Sequence, residues 1–174
     1  MNNVPKIYFF TGASGAGKTA FLEAMTKEYD SNKAAFLHFD SIGVPSDQEM
    51  IKQYGSGTAW QKAMTFAWVK KMLTEYSDKK LIFFEGQTNL LFIKESCAKY
   101  NLANYKIIFL HCENKVRHLR LTEMRNQPEL INNEMDNWAN YLMNQAIEQN
   151  ALVLDTTNKT MPELVKWYKS NLEL

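Results

Sequence analysis

Eight consecutive residues near the start of the chain have the spacing of a phosphate-binding loop. In order they are Gly12, Ala13, Ser14, Gly15, Ala16, Gly17, Lys18 and Thr19. They fit the pattern G-x-x-x-x-G-K-[ST], in which glycines let backbone N–H groups converge on one anion. We expect Lys18 to place its charge on the β- and γ-phosphates of a nucleotide, and the Thr19 hydroxyl to bind Mg²⁺. The alternative is a glycine-rich turn without a ligand, but chance would produce this pattern in well under about 1% of chains this long.

The elements around this loop must hold it at the edge of a sheet. Short apolar runs rich in residues that suit β-strands occur at 7–10, 34–39, 81–85, 105–112 and 151–155. They show little alternation of apolar and polar residues, as expected for strands with both faces covered. Segments with helical periodicity lie between and after them, at 18–29, 58–76, 114–125, 133–149 and 161–172. This order predicts a parallel sheet between two layers of helices, with ligands beyond the carboxyl ends of its strands.

Length and composition narrow the class of protein. A chain of 174 residues with 45% apolar and 22% charged residues predicts one globular domain with a sizeable core. A net charge of +1 disfavours a nucleic-acid or membrane-surface partner, and no apolar run reaches the roughly 18 residues of a membrane span. The N-terminal segment lacks the pattern of a signal peptide, so we expect a cytoplasmic protein. Cys97 and Cys112 lack the spacing of a metal site and are expected to be buried free thiols.

The loop alone does not separate a GTPase, an ATPase and a kinase. A GTPase also needs a D-x-x-G and an N-K-x-D sequence. Residues 40–43 spell DSIG, but they follow the second apolar run, whereas the switch should follow the next one. Residues 158–161 spell NKTM and lack the aspartate that would read guanine. The sequence therefore disfavours a GTPase.

The combination resembles the small P-loop kinases of the nucleoside-, gluconate- and shikimate-kinase type, which phosphorylate small molecules. The resemblance covers most of the chain in pattern, while only the P-loop itself is highly specific. It implies a three-layer α/β P-loop NTPase fold, with a five-stranded parallel sheet flanked by helices. It also implies that residues 1–174 form a single domain with a short lid at about 125–133.

The resemblance also implies which residues meet the phosphate acceptor. Family members place an acidic residue after the second strand to hold or deprotonate the acceptor hydroxyl, and Asp40 occupies that position. A turn or helix-capping aspartate is the alternative. Glu85 ends the third apolar run, where related enzymes hold water on Mg²⁺, usually with an aspartate; it would serve the metal or, with Gln87, the acceptor. A surface carboxylate is the alternative for Glu85, and core packing is the alternative for Trp60, which would line the acceptor pocket.

On the nucleotide side, the resemblance points to the basic segment 114–125. Its arginines would pack on adenine and contact the transferring phosphate, which assigns Arg120 to the nucleotide and Arg125 to catalysis. Thr157 lies in the loop that runs beside adenine in these kinases. A solvated helix face is the alternative for the arginines, and helix capping is the alternative for the loop. His38 and His111 lie in predicted strands and are expected to be satisfied core groups.

These inferences lead to one expected function. The chain should transfer phosphate from ATP, with Mg²⁺, to a small hydroxyl- or phosphate-bearing metabolite, with Lys18, Asp40 and Arg125 as catalytic residues. The main alternative is a nucleotide-binding regulator or ATPase module without a small-molecule acceptor. The sequence leaves open the acceptor's identity, the preference for ATP over GTP and the oligomeric state.

Overall fold

The computed structural model describes residues 4–172 and contains one parallel β-sheet of five strands. The strands are β1 Lys6–Thr11, β2 Ala34–His38, β3 Leu81–Gly86, β4 Tyr105–His111 and β5 Leu152–Asp155. Their order in the sheet is β2-β3-β1-β4-β5. The strand predictions are confirmed, and β1 lies at the centre, so the loop that follows it emerges between neighbouring strands on both sides.

Helices cover both faces of this sheet. They are α1 Lys18–Thr26, α2 Asp47–Tyr54, α3 Gly57–Glu75, α4 Leu90–Lys99, α5 Asn114–Leu119, α6 Asn133–Glu148 and α7 Met161–Leu172. The sequence analysis missed α2 and α4. A capping box between Ser46 and Glu49 begins α2, and Asn89 caps α4. The S-x-x-E spacing at Ser46 is a signal that was available for α2.

The hydrophobic core is divided by the sheet into two layers. On one face, Phe9 and Phe84 pack with side chains of α3, α4 and α6. On the other face, Tyr8 and Phe83 pack with side chains of α1 and α7. Successive residues of β1 and β3 therefore point into different cores, and this is why these strands are apolar without alternation.

Two side findings bear on the environment of the protein. Cys97 and Cys112 are both buried and free, as predicted. Among residues 4–172, no helix combines the length and the apolar character needed to cross a membrane.

Candidate active site

The glycine-rich loop connects the end of β1 to the start of α1, the position that its chemistry requires. Gly15 and Gly17 have φ angles of +81° and +91°, which side-chain-bearing residues rarely adopt. A Cβ atom on Gly15 would lie 2.7 Å from Cγ of Arg117, and one on Gly12 would lie 2.4 Å from the carbonyl oxygen of Leu110. The loop thus packs against β4 and α5 through its glycines, leaving its other side to face a ligand.

Lys18, at the end of this loop, is a buried lysine with a lowered pKa. Its side chain is buried, and Nζ donates a hydrogen bond to the carbonyl oxygen of Ala13 at 3.0 Å. Burial lowers the pKa of Lys18 to about 8, and the charges of Glu85 and Asp40 oppose that shift, whereas Arg125 adds to it. Lys18 therefore interacts electrostatically with Glu85, Asp40 and Arg125, the three charged side chains that the sequence predicts for the metal, the acceptor and catalysis.

Glu85 stands at the carboxyl end of β3, beside the loop. It is buried, and its Oε1 accepts a hydrogen bond from Thr19 Oγ1 at 3.3 Å and lies 2.8 Å from Nδ1 of His38. The register of β2 against β3 places His38 directly opposite Glu85. Among the described residues, the Oε2 atom of Glu85 has no hydrogen-bond partner. Glu85 is therefore built into the site with one oxygen free, unlike a carboxylate on a surface turn.

His38 was expected to be a core residue, and that expectation is wrong. Its side chain is 41% exposed and contacts Glu85. His38 is the last residue of β2, an edge strand, so its side chain lies at the carboxyl ends of the strands, where ligands of such sheets bind, instead of in the core.

The loop after β3 is tied to the phosphate loop by amide groups. Ser14 Oγ donates to Gln87 Oε1 at 2.8 Å. Gln61 of α3 donates to the carbonyl oxygen of Gln87 at 3.0 Å and accepts from the backbone N–H of Asn89 at 3.1 Å. Gln61 fixes this side of the site, and no motif in the sequence pointed to it.

Asp40 lies in a 3₁₀ turn, Phe39–Ile42, that follows β2. It is exposed, and no hydrogen bond holds its carboxylate within the described part of the chain. The capping alternative does not apply because Ser46 caps the next helix, α2. The Asp40 carboxylate is therefore available to a ligand and close enough to influence Lys18.

Trp60 is a buried residue of α3. Its ring packs edge-on against Phe39, the neighbour of Asp40, with 5.7 Å between the ring centroids. Phe39 in turn lies against Gly86, where a Cβ atom would be only 2.5 Å from the Cβ of Phe39. Trp60 thus supports the turn that carries Asp40, and its direct contact with an acceptor stays a prediction.

A cavity of about 620 Å³ opens on the other side of the phosphate loop. Its lining comes from the loop, α1, the segment after α5 and the start of α7, namely Gly15, Gly17, Lys18, Thr19, Ala20, Glu23, Arg120, Met124, Arg125, Lys159 and Met161.

Arg120 begins a π-helical turn, Arg120–Met124, and its guanidinium donates to the carbonyl oxygen of Thr156 at 2.7 Å and to Thr156 Oγ1 at 3.1 Å. Arg125 is exposed, and its side chain makes no hydrogen bond to any residue in 4–172. One arginine is therefore fixed in the cavity wall, and the other is free to meet a ligand.

Arg117 is neither on a solvated helix face nor in contact with the nucleotide cavity, the two positions that the basic segment 114–125 suggested for its arginines. It is 1% exposed, donates to the carbonyl oxygen of Ser14 at 3.2 Å and forms an ion pair with Asp136 of α6. His118 lies 2.9 Å from the same carboxylate and, with Arg117, holds the pKa of Asp136 below its ordinary value. This network supports the phosphate loop from beneath, and the reason is the close packing of Gly15 on the Arg117 side chain.

Thr157 is buried in the loop after β5. Its hydroxyl accepts a hydrogen bond from the backbone N–H of Glu113 at 3.0 Å, and its own N–H donates to Asp155 at 2.9 Å. At the start of α7, the Glu163 carboxylate instead accepts hydrogen bonds from the N–H and the hydroxyl of Thr160, each at 2.8 Å. The Thr157 side chain joins two loops at the end of the sheet, and a contact of this residue with nucleotide stays a prediction.

The donor set also bears on Mg²⁺. Among the described residues, no group of three or more His, Cys, Asp or Glu side chains is arranged to hold a metal by itself. Thr19 Oγ1 and the Glu85 carboxylate are adjacent oxygen donors, and oxygen is what Mg²⁺ prefers. The residues present therefore fit a Mg²⁺ ion that takes its remaining ligands from nucleotide phosphates and water.

Comparisons with known proteins agree with this geometry. No protein-family model matches the chain. Shikimate kinases of Bacillus cereus strains AH187 and Q1 are each 24% identical over 172 residues, which covers 96% of this chain and 98% of theirs. Among solved structures, the shikimate kinase of Acinetobacter baumannii in complex with shikimate has a TM-score of 0.64 at 15% identity, covering 99% of this chain and 95% of that one. A gluconokinase of Sinorhizobium meliloti 1021 has a TM-score of 0.62 at 13% identity, covering 94% and 89% of the two chains.

The fold and the phosphate loop define a P-loop protein of the α/β type. Its similarity to shikimate kinases in sequence, and to a shikimate kinase and a gluconokinase in fold, supports an ATP-dependent P-loop kinase that acts on a small metabolite. The predicted three-layer fold is confirmed.

Proposed function

We propose that this kinase transfers the γ-phosphate of ATP to a hydroxyl of a small polar acceptor held between the carboxyl ends of β2 and β3. The observation that carries the proposal is the free carboxylate of Asp40, beside the phosphate loop and within electrostatic range of Lys18. In an ATPase without an acceptor the same carboxylate would have to activate water instead, so dependence of ADP release on an acceptor separates the two functions. Glu85 and Gln87 line the same side of the loop and would orient the acceptor.

In the proposed reaction, Asp40 accepts the proton of the acceptor hydroxyl as its oxygen forms a bond to the γ-phosphorus. The bond from that phosphorus to the bridging oxygen of ADP breaks, and ADP leaves with the electron pair. Lys18 and Arg125 would neutralise the charge on the phosphoryl oxygens, where fixed cations act most strongly. The buried position of Lys18 suits this role because burial strengthens its attraction to phosphate.

Thr19 and Glu85 are the residues that we propose for Mg²⁺. The ion would supply charge neutralisation between the β- and γ-phosphates. His38 would act as a positioning residue, because its contact with Glu85 Oε1 leaves Oε2 directed elsewhere.

We propose that the base and sugar of the nucleotide bind in the cavity beside the phosphate loop. Arg120, fixed by Thr156, would pack against the base, and the backbone around Thr157 would lie at its edge. Residues 125–133 would form the lid of a single domain spanning 1–174. Two buried free thiols suit a reducing compartment such as the cytoplasm.

The proposal is tested by a screen for acceptor-dependent ADP release. Purified protein with ATP and Mg²⁺ is offered sugars, nucleosides, nucleotides, shikimate, gluconate and aminoglycosides, and phosphorylated products are identified by mass spectrometry. We expect at least one acceptor to accelerate ADP release with stoichiometric product, and the Lys18→Ala variant to show neither. Hydrolysis of ATP that no acceptor accelerates would instead support an ATPase module.

The depressed pKa of Lys18 predicts a pH dependence of nucleotide binding. In the free protein this pKa is about 8, and phosphates would raise it because they favour the ammonium form. Affinity should therefore be constant below pH 8 and fall by up to about tenfold per pH unit above it, because binding then requires proton uptake. Calorimetry with a non-hydrolysable ATP analogue in two buffers of different ionisation enthalpy measures both affinity and proton uptake. Lys18→Arg stays charged and should abolish the dependence; a flat profile for the unaltered protein would contradict the assignment.

Arg125 and Arg120 should separate catalysis from binding. Arg125→Ala should lower kcat about 10- to 100-fold with little change in nucleotide affinity, because a free side chain that meets only the transferring phosphate stabilises the transition state. Arg120→Ala should mainly weaken ATP binding, since that guanidinium is fixed in the cavity wall. Lys115→Ala, an exposed cation on α5, is the control.

Hydrogen exchange tests the lid in the same set of proteins. Segment 126–133 should exchange faster than the sheet in the free protein, and it should become protected with an ATP analogue and acceptor. Equal protection in both states, together with normal kcat for Arg125→Ala, would show that this segment is not a lid.

A further inference from the structure

The charges around the site are distributed unevenly between its two sides. The only arginines in the chain are Arg117, Arg120 and Arg125. Arg120 and Arg125 line the nucleotide cavity, and Arg117 is buried beneath the phosphate loop with Asp136. No arginine occurs in the segments proposed to form the acceptor side, namely the ends of β2 and β3, α2 and α3.

The lysines of α2 and α3 other than the exposed Lys70 are paired with, or accompanied by, acidic residues. Lys62 of α3 pairs with Glu95 of α4 at 2.6 Å, and Lys71 pairs with Glu75 at 3.6 Å. In α2, Lys52 is accompanied by two acidic residues, Asp47 and Glu49. Lys18 interacts electrostatically with both Glu85 and Asp40, and in the proposed reaction it is taken by the nucleotide phosphates.

Apart from His38, whose Nδ1 is engaged by Glu85, the groups at the ends of β2 and β3 are acidic or neutral. Asp40 has no partner for its carboxylate, and Glu85 keeps one oxygen without a hydrogen bond among residues 4–172 although its side chain is only 7% exposed. Gln61 and Gln87 contribute neutral amides, and both are already bound to backbone or hydroxyl groups. An acceptor bearing a carboxylate or phosphate would meet the free Asp40 carboxylate, while Lys18 and Mg²⁺ would be taken by the nucleotide phosphates, and like charges brought together oppose binding.

Resting on the proposed function, we propose that the acceptor is a hydroxylated organic cation, an amino-bearing polyol or amino alcohol. Its hydroxyl would meet Asp40, and its ammonium group would donate to the second oxygen of that carboxylate or to a backbone carbonyl of the β3–α4 loop, because Glu85 is proposed to hold Mg²⁺. This chemistry differs from that of shikimate, the ligand of the Acinetobacter baumannii neighbour, which carries a carboxylate. The similarity in fold thus does not extend to the charge of the acceptor.

The experiment compares matched acceptors that share one carbon skeleton. Glucosamine, glucose and gluconate form one set, and further amino sugars, aminocyclitols and amino alcohols are each offered with their neutral and carboxylate counterparts, together with shikimate and nucleotides. We expect the amine members to give kcat/KM values at least about tenfold above those of the carboxylates, with neutral compounds between them. Preference for a carboxylate or phosphate acceptor would overturn this inference and leave the kinase assignment intact. Absence of acceptor-dependent phosphorylation across the whole panel would overturn the proposed function and this inference with it.

A charge added at Gln61 gives an independent measurement. Gln61→Lys should raise the ratio of kcat/KM for a carboxylate over its matched amine by at least about tenfold, because it places a cation beside the β3–α4 loop. Gln61→Met loses the same hydrogen bonds without adding charge and should leave the ratio unchanged. If circular dichroism shows that both variants are folded and their carboxylate-to-amine ratios of kcat/KM are equal, a charge at Gln61 does not act on the acceptor, which would contradict the inference.

Discussion

Asp40→Asn should slow phosphoryl transfer by at least about 100-fold while nucleotide affinity stays unchanged. The substitution keeps the size of the side chain and removes its ability to accept the proton of the acceptor hydroxyl. Asp40 makes no hydrogen bond to the described residues, so no structural contact is lost with its charge. The measurement is single-turnover transfer from labelled ATP, with binding of an ATP analogue followed separately by calorimetry.

Asp47→Asn is the matched control for this experiment. Asp47 is another exposed aspartate, in the first turn of α2. It should leave transfer close to normal, so a loss shared by both variants would indicate a general charge effect. Near-normal transfer by Asp40→Asn would leave Asp40 as a turn residue and would require another group to activate the hydroxyl.

Among the substitutions considered, Lys18→Ala should weaken nucleotide binding the most. A hydrogen bond to a charged group contributes about 1.5–3 kcal/mol, which corresponds to roughly a 10- to 150-fold weaker Kd for ATP. Turnover should fall by a further factor of about 100 or more, since the same charge neutralises the transferring phosphate. Titration calorimetry and steady-state kinetics measure the two effects separately.

The same variant should fold at least as stably as the parent. Burial lowers the pKa of Lys18 from 10.5 to about 8, so between these pH values the unfolded chain holds the proton more tightly and stability rises with pH. Below pH 8 the cost of the buried ammonium is fully present, and Lys18→Ala removes it. The free variant should therefore keep or raise the Tm of the parent at neutral pH. Lys27→Ala, at the exposed C-cap of α1, should change neither Tm nor binding.

An unchanged ATP affinity in Lys18→Ala would contradict nucleotide binding at this loop. A lowered Tm would leave that assignment intact, but it would show that the bond from Nζ to Ala13 stabilises the loop more than burial of the charge costs.

The sequence by itself determined the sheet, the loop and the place where ligands bind. Each strand is a short apolar run, and such runs are visible without knowing their neighbours. The phosphate loop is equally local, because its glycine conformations and the helix that follows are encoded within eight residues. The order of strands and helices then puts Asp40 and Glu85 at the same edge of the sheet, since parallel strands end on one side.

The tertiary structure decided what each side chain does there. The basic segment gives no sign that Arg117 is buried beneath Gly15 while Arg125 is exposed, because both lie in the same polar stretch and only the packing of α5 on the loop separates them. The contact of His38 with Glu85 arises from strand register, and the bonds of Gln61 to Gln87 and Asn89 arise from packing of α3. These contacts join residues 26 to 47 positions apart in the chain. A local pattern carries no information on such pairs, since their geometry is fixed only when the sheet and its covering helices come together.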